Sequence, residues 1–154
     1  MTESTPLDDL PAEIRRLVAD APDRDGALQG ICELLRERVG RYDWVGFYLA
    51  DAAAGTLRLG PYAGDPTEHV EIAFGEGICG QAARRRETVL VQDVSKESNY
   101  LACSPAVRSE IVVPVLKAGE IVAELDVDSH RMAAFSPADR AFLEDVADVA
   151  SGLF

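Results

Sequence analysis

No apolar run in the sequence approaches the roughly 18 residues that a bilayer-crossing helix needs. The opening residues, MTESTPLDDL, are acidic and lack the basic stretch and apolar core of a secretory signal. Neither membrane insertion nor export is expected, and a cytoplasmic location is. Basic side chains are scarce: 15 Lys and Arg face 27 Asp and Glu, for a net charge of −12. A surface of that sign has little with which to displace counterions from phosphates, so nucleic acid and anionic membranes are not expected partners. The one basic cluster, at 84–86, has acids within a few positions and reads as a solvated helix end. Cysteine is sparse too. Cys32, Cys79 and Cys103 are three in number, odd and scattered, which excludes a disulfide framework. Two His without close Cys/His pairs argue against a structural zinc site, and no metal is expected.

What remains is an ordinary core-forming composition, 47% apolar and 27% charged over 154 residues, enough for one domain. Residues 1–8 read as a loose tail. Leu10, Ile14, Leu17 and Val18 then recur at helical spacing, with Pro11 in the first turn. Leu28, Ile31, Leu34, Leu35 and Val39 repeat the pattern up to Gly40, and Cys32 falls beside that stripe as a packing residue. The period then changes. WVGFYLA (44–50) and GTLRLGPYAG (55–64) read as a hairpin, and HVEIAF (69–74) as a third strand. GEGICGQAARRRE (75–87) reads as a short helix after a glycine turn, and TVLVQDV (88–94) as a strand. SEIVVPVLKAGEIVAELDVDS (109–129) is the strongest hairpin signal, turning at Lys117–Glu120. Ser136, Pro137 and Asp139 mark an N-cap, a first-turn proline and a third-position acid, opening a helix whose Phe142, Val146, Val149 and Leu153 share one face. The order implies an α+β domain: an antiparallel sheet of about six strands, terminal helices on one face, and loops with a short helix forming a pocket on the other.

Three features carry chemistry. Cys103 stands just before Ser104 and Pro105, a helix-start signal, and Cys79 lies between glycines near another helix start. A helix N-terminus lowers a thiol's pKa, although each cysteine can equally be read as a packing or incidental loop residue. Second, alternation puts Glu124, Asp126 and Asp128 on one face of a strand, with Glu110 entering the neighbouring strand of the same hairpin. Such a set suits a pocket for a cation or a proton donor, since crowded acids keep at least one proton; an exposed edge strand with defensive charges is the other reading. Third, the aromatics of YDWVGFY fit either a pocket wall or the core.

The motifs WVGFYL, LGPYAG, GEGICGQA, ACSPAVRSEIVVPV, ELDVDS and FSPADR, in this order over about 25–154, resemble the free methionine-(R)-sulfoxide reductases, which are built on a GAF domain. The resemblance implies a tail and helix over 1–24 and a single GAF domain over 25–154. It implies thiol-dependent reduction of free L-methionine-(R)-sulfoxide to methionine through a cysteine sulfenic acid. No bound cofactor is implied, and thioredoxin is the implied external reductant. By position Cys103 matches the catalytic cysteine and Cys79 a second pocket cysteine. Glu110, Asp126 and Asp128 match the acids that engage the sulfoxide and the amino acid, and Trp44 and Tyr48 the aromatic wall. A homodimer through the terminal helices is a further implication. Two places depart from the family: His69 lies in the region where a further, resolving cysteine is usual, and Glu124 stands where an apolar residue is usual. A ligand-binding GAF sensor and a thiol redox sensor are the alternative functions.

Overall fold

A computed structural model describes residues 6–100 and 105–154. Two helices come first, α1 (Leu10–Asp20) and α2 (Arg24–Arg38). Asp23 caps α2, its side chain accepting from the Gly26 N–H at 2.7 Å. The helix stops one residue before Val39, which is already extended; Gly40 follows and is not itself the cap.

Six strands form one antiparallel sheet: β1 (Trp44–Asp51), β2 (Thr56–Ala63), β3 (Glu71–Ala73), β4 (Val89–Val91), β5 (Ser109–Lys117) and β6 (Glu120–Ser129). Their spatial order is β3-β2-β1-β6-β5-β4. The two hairpins read from the sequence are β1–β2 and β5–β6. The third and fourth strands are shorter than the apolar alternation suggests, three residues each, because they pair only at the ends of the sheet. α3 (Gly77–Arg85) lies between β3 and β4, and α4 (Pro137–Ser151) closes the fold. α4 starts with a full capping box, Ser136 accepting from the Asp139 N–H and Asp139 accepting from the Ser136 N–H.

The sheet separates two apolar layers. On one side α1, α2 and α4 cover Val45, Phe47, Ile111, Val113, Leu125 and Val127, the odd-numbered residues of the central strands. On the other, α3 covers Trp44, Tyr48, Val112 and Ile121, with Cys79, Ala82 and Ala83 facing the sheet. Period-2 alternation therefore splits the aromatic stretch, sending Phe47 to the helical core and Trp44 and Tyr48 to the α3 side. Cys32 is buried in the helical layer, with its thiol 3.6 Å from the Pro61 carbonyl oxygen, and burial pushes its pKa up beyond the usual thiol range. The basic cluster is solvent-exposed at the end of α3, with Arg86 in a left-handed conformation at φ 55°. Among the described residues, no helix is long and apolar enough to cross a membrane.

Candidate functional site

β6 is central, so the acids on its α3-facing side are not an exposed edge. Glu124, Asp126 and Asp128 are all buried, with Glu124 and Asp126 at 0% exposure. The register fixes their neighbours. Glu124 lies between Tyr48 of β1 and Pro114 of β5, Asp126 between Gly46 and Val112, and Asp128 between Trp44 and Glu110. Glu110 is itself buried. Four carboxyl groups thus share one face of two adjacent strands.

α3 closes over this row. Its first turns are held by backbone and side-chain bonds to the preceding glycine turn: the Gly75 N–H donates to the Gly80 carbonyl at 2.7 Å. Gly80 is required here, because a Cβ would come within 2.6 Å of the Ala73 carbonyl oxygen. This close seat sets the depth of Cys79, whose thiol lies 3.4 Å from Asp126 Oδ2. One donor atom each from Cys79, Glu110 and Asp126 falls within 4.8 Å of the others. The pocket they share with Tyr48, His69, Ile72, Glu76, Gly77 and Ile78 encloses only about 10 Å³, roughly the room of one water. No Lys or Arg is among these lining residues.

For Asp126 and Glu124, burial is the largest influence on protonation. It raises the Asp126 carboxyl above its usual range, against the opposing effect of hydrogen bonds with Glu110, Asp128 and Cys79. Glu124 is raised well above its usual range, first by burial and then by the charge of Asp126. Neither Glu124 oxygen has a hydrogen-bond partner among the described residues.

The aromatic wall is built by β1. Tyr48 lines the pocket and donates its hydroxyl to the His69 carbonyl at 3.0 Å. Trp44 lies beside it, with ring centroids 6.4 Å apart, and stacks on Tyr62 at 5.5 Å. Its indole N–H donates to the Asp65 carbonyl at 2.9 Å. The indole folds over Gly46, where any Cβ would collide with the ring.

Of the site residues anticipated from the sequence, Cys79, Glu110 and Asp126 converge on the pocket, Tyr48 walls it, and Asp128 and Trp44 pair one step along the same face. Cys103 lies outside the described residues. His69 borders the same pocket. The sequence reading missed Asn99. Its side-chain oxygen accepts from the Gly77 N–H at 2.9 Å, and its side-chain nitrogen donates to the Gly75 carbonyl at 2.9 Å, tying the polar loop to the start of α3. Only the propensity of Asn for bonding nearby backbone hinted at this. The partner segment, more than twenty residues earlier, carries no such mark.

The GAF domain model matches residues 21–153. Free methionine-R-sulfoxide reductase of Escherichia coli is 33% identical over 138 residues, covering 90% of this chain and 82% of that protein. GAF domain-containing protein A of Dictyostelium discoideum is 35% identical, over 87% of this chain and 83% of its own length. Among solved structures, the free methionine-R-sulfoxide reductase of Neisseria meningitidis in complex with its substrate superposes with a TM-score of 0.92 at 34% identity, covering 100% of this chain and 95% of that one. With this fold, this pocket and these relatives, the chain belongs to the GAF domain family, beside members named free methionine-R-sulfoxide reductase.

Proposed function

We propose that this protein reduces free L-methionine-(R)-sulfoxide to methionine. The observation that carries the reading is the meeting of Cys79, Glu110 and Asp126 in one buried pocket without a basic lining residue, against an aromatic wall. It stands in a chain that resembles named reductases over nearly its whole length. Such a pocket favours a ligand with an ammonium group, which a free amino acid has and a peptide-bound residue lacks. The reacting thiol is Cys103 by its motif.

The Cys103 thiolate attacks the sulfoxide sulfur while a protonated pocket acid donates to the oxygen. Asp126 suits that role, because burial raises its pKa and so favours the protonated form. Glu110 and Asp128 hold the ammonium group. The oxygen leaves the substrate sulfur, which gains two electrons, and ends on Cys103 as a sulfenic acid. The Cys79 thiol condenses with it, releasing water and forming a disulfide, which a dithiol reductant such as thioredoxin reopens. The chemistry needs no bound cofactor.

A second reading, a ligand-binding sensory domain, has one observation in its favour. A pocket of about 10 Å³ admits an amino acid only after it widens, and widening on binding is what a sensor transmits. One assay separates the two. With dithiothreitol, the protein consumes the R epimer of free methionine sulfoxide and spares the S epimer, and Cys103→Ser abolishes the reaction. Tight binding without reduction under any thiol would establish the sensor instead. Cys79→Ser is expected to lose turnover with thioredoxin and keep it with dithiothreitol; unchanged thioredoxin turnover would remove Cys79 from the resolving step.

A further inference from the structure

The convergence of Cys79, Glu110 and Asp126 has a second chemical meaning. One donor atom from each lies within 4.8 Å of the others, and all three residues are buried. The Cys79 sulfur is 3.4 Å from Asp126 Oδ2. Two ligands of one tetrahedral zinc ion, with bonds of about 2.3 Å to sulfur and about 2.1 Å to oxygen, stand about 3.6 Å apart. This sulfur and this oxygen are therefore already spaced like neighbouring ligands of such an ion. Drawing a Glu110 oxygen to the same spacing takes a movement of the order of 1 Å.

A second, independent observation points to a cation. Asp126 is fully buried and lines the pocket, and its Oδ1 has no hydrogen-bond partner among the described residues. A buried carboxyl oxygen without a partner is costly, and no Lys or Arg lines the pocket to offset it. The space agrees in size. About 10 Å³ holds one bare ion or one water, and not an ion with its hydration shell.

We propose that this pocket binds a single thiophilic divalent cation, of the zinc class, through Cys79 Sγ and one oxygen each of Glu110 and Asp126. The fourth position is left to water. One thiolate with two carboxylates selects against magnesium and calcium, which surround themselves with about six or more oxygens. No Cys/His spacing announces the site, because its ligands come from three elements, α3, β5 and β6, and meet only through the docking of α3.

The consequence for activity rests on the reductase reading. The ion occupies the acids that engage the sulfoxide and the ammonium group, and it holds the thiol that resolves Cys103. It is thus a reversible inhibitor, competing with the amino acid and removed by a chelator. A net charge of −12 draws cations towards the chain.

Cobalt(II) reports on the site without calling on activity. Full-length protein, reduced and then freed of reductant, is expected to bind one cobalt ion per chain. The complex should show the near-ultraviolet band of a cobalt–thiolate bond and the strong visible bands of tetrahedral coordination. Cys103→Ser is expected to keep these bands, whereas Cys79→Ser and Cys79→Ala lose the thiolate band. Glu110→Gln and Asp126→Asn are expected to weaken binding by about tenfold or more, at least the cost of losing a group that merely supports a ligand. Zinc should displace the cobalt, and millimolar magnesium should not. A parent protein without the thiolate band overturns the proposal, as does a band that survives in either Cys79 variant or yields to magnesium. Single-turnover reduction of free methionine-(R)-sulfoxide tests the consequence: zinc should abolish it and EDTA restore it. Reduction that continues with zinc bound overturns the inhibitory role. Cobalt bound by a chain that forms no methionine overturns the reductase reading and leaves the cation site standing.

Discussion

Asp139 and Glu124 are both buried acids, on opposite sides of one sheet, and the fold treats them in opposite ways. Asp139, at the start of α4, accepts from the Tyr42 hydroxyl at 2.6 Å, from the Ser136 N–H at 2.8 Å and hydroxyl at 2.7 Å, and from the Arg41 guanidinium. Burial pushes its pKa up, but these bonds, that from Tyr42 first, outweigh the penalty and hold the carboxyl below its usual range. Glu124 has none of this, and burial leaves it well above its usual range. One acid is an ionised structural tie. The other is an acid in an apolar layer where burial disfavours its charged form. A buried carboxyl thus signals function when its partners are missing, and architecture when they are complete.

The contrast can be broken most severely at Asp126, between the two extremes. Asp126→Asn keeps the shape and removes the exchangeable proton, so reduction of free methionine-(R)-sulfoxide is expected to fall by about 100-fold or more, with urea midpoints nearly unchanged. The parent's own rate should decline as pH rises through the raised Asp126 pKa, since the donor is the protonated form. Next in size is Asp139→Ala, which removes half of the capping box and strands Tyr42 and Arg41. A loss of about 3 kcal/mol in urea unfolding is expected, with catalysis per folded molecule unaffected. Because this carboxyl is depressed in the fold, its stabilisation is complete above the unfolded value of about 3.9. It is lost as pH falls through the folded value, and the variant should lack that acid limb. The smallest effect has the opposite sign. Glu124→Leu is expected to stabilise the protein by about 1–2 kcal/mol at neutral pH. A raised acid favours the fold below the unfolded value of about 4.3 and loses that contribution as pH rises towards the folded one. The parent should therefore lose about 1.4 kcal/mol per pH unit in that window and the variant should not. A destabilised Glu124→Leu would mean that the side chain has an unrecognised structural partner.

Much of the architecture was legible because it depends on local chemistry. Ser136, Pro137 and Asp139 announced the start of α4, and the turn at 118–119 announced the β5–β6 hairpin. Alternation correctly put Glu124, Asp126 and Asp128 on one face. It could not say that the face is sealed, because period 2 assigns sides and not depth; burial came from α3 docking against β5 and β6 and from the central place of β6. The meeting of Cys79 with Asp126 spans 47 positions and depends on the same docking. The lengths of β3 and β4 were overread because pairing partners, not apolar alternation, end a strand.

The indole of Trp44 rests where position 46 has no side chain, and that has a consequence for descent. Even the smallest replacement there, alanine, must evict a ring that is also stacked on Tyr62 and bonded to Asp65. Drift at this wall is closed to single steps: a lineage could reshape it only by changing the tryptophan first and the glycine afterwards, passing through an intermediate with a hole beside its acids.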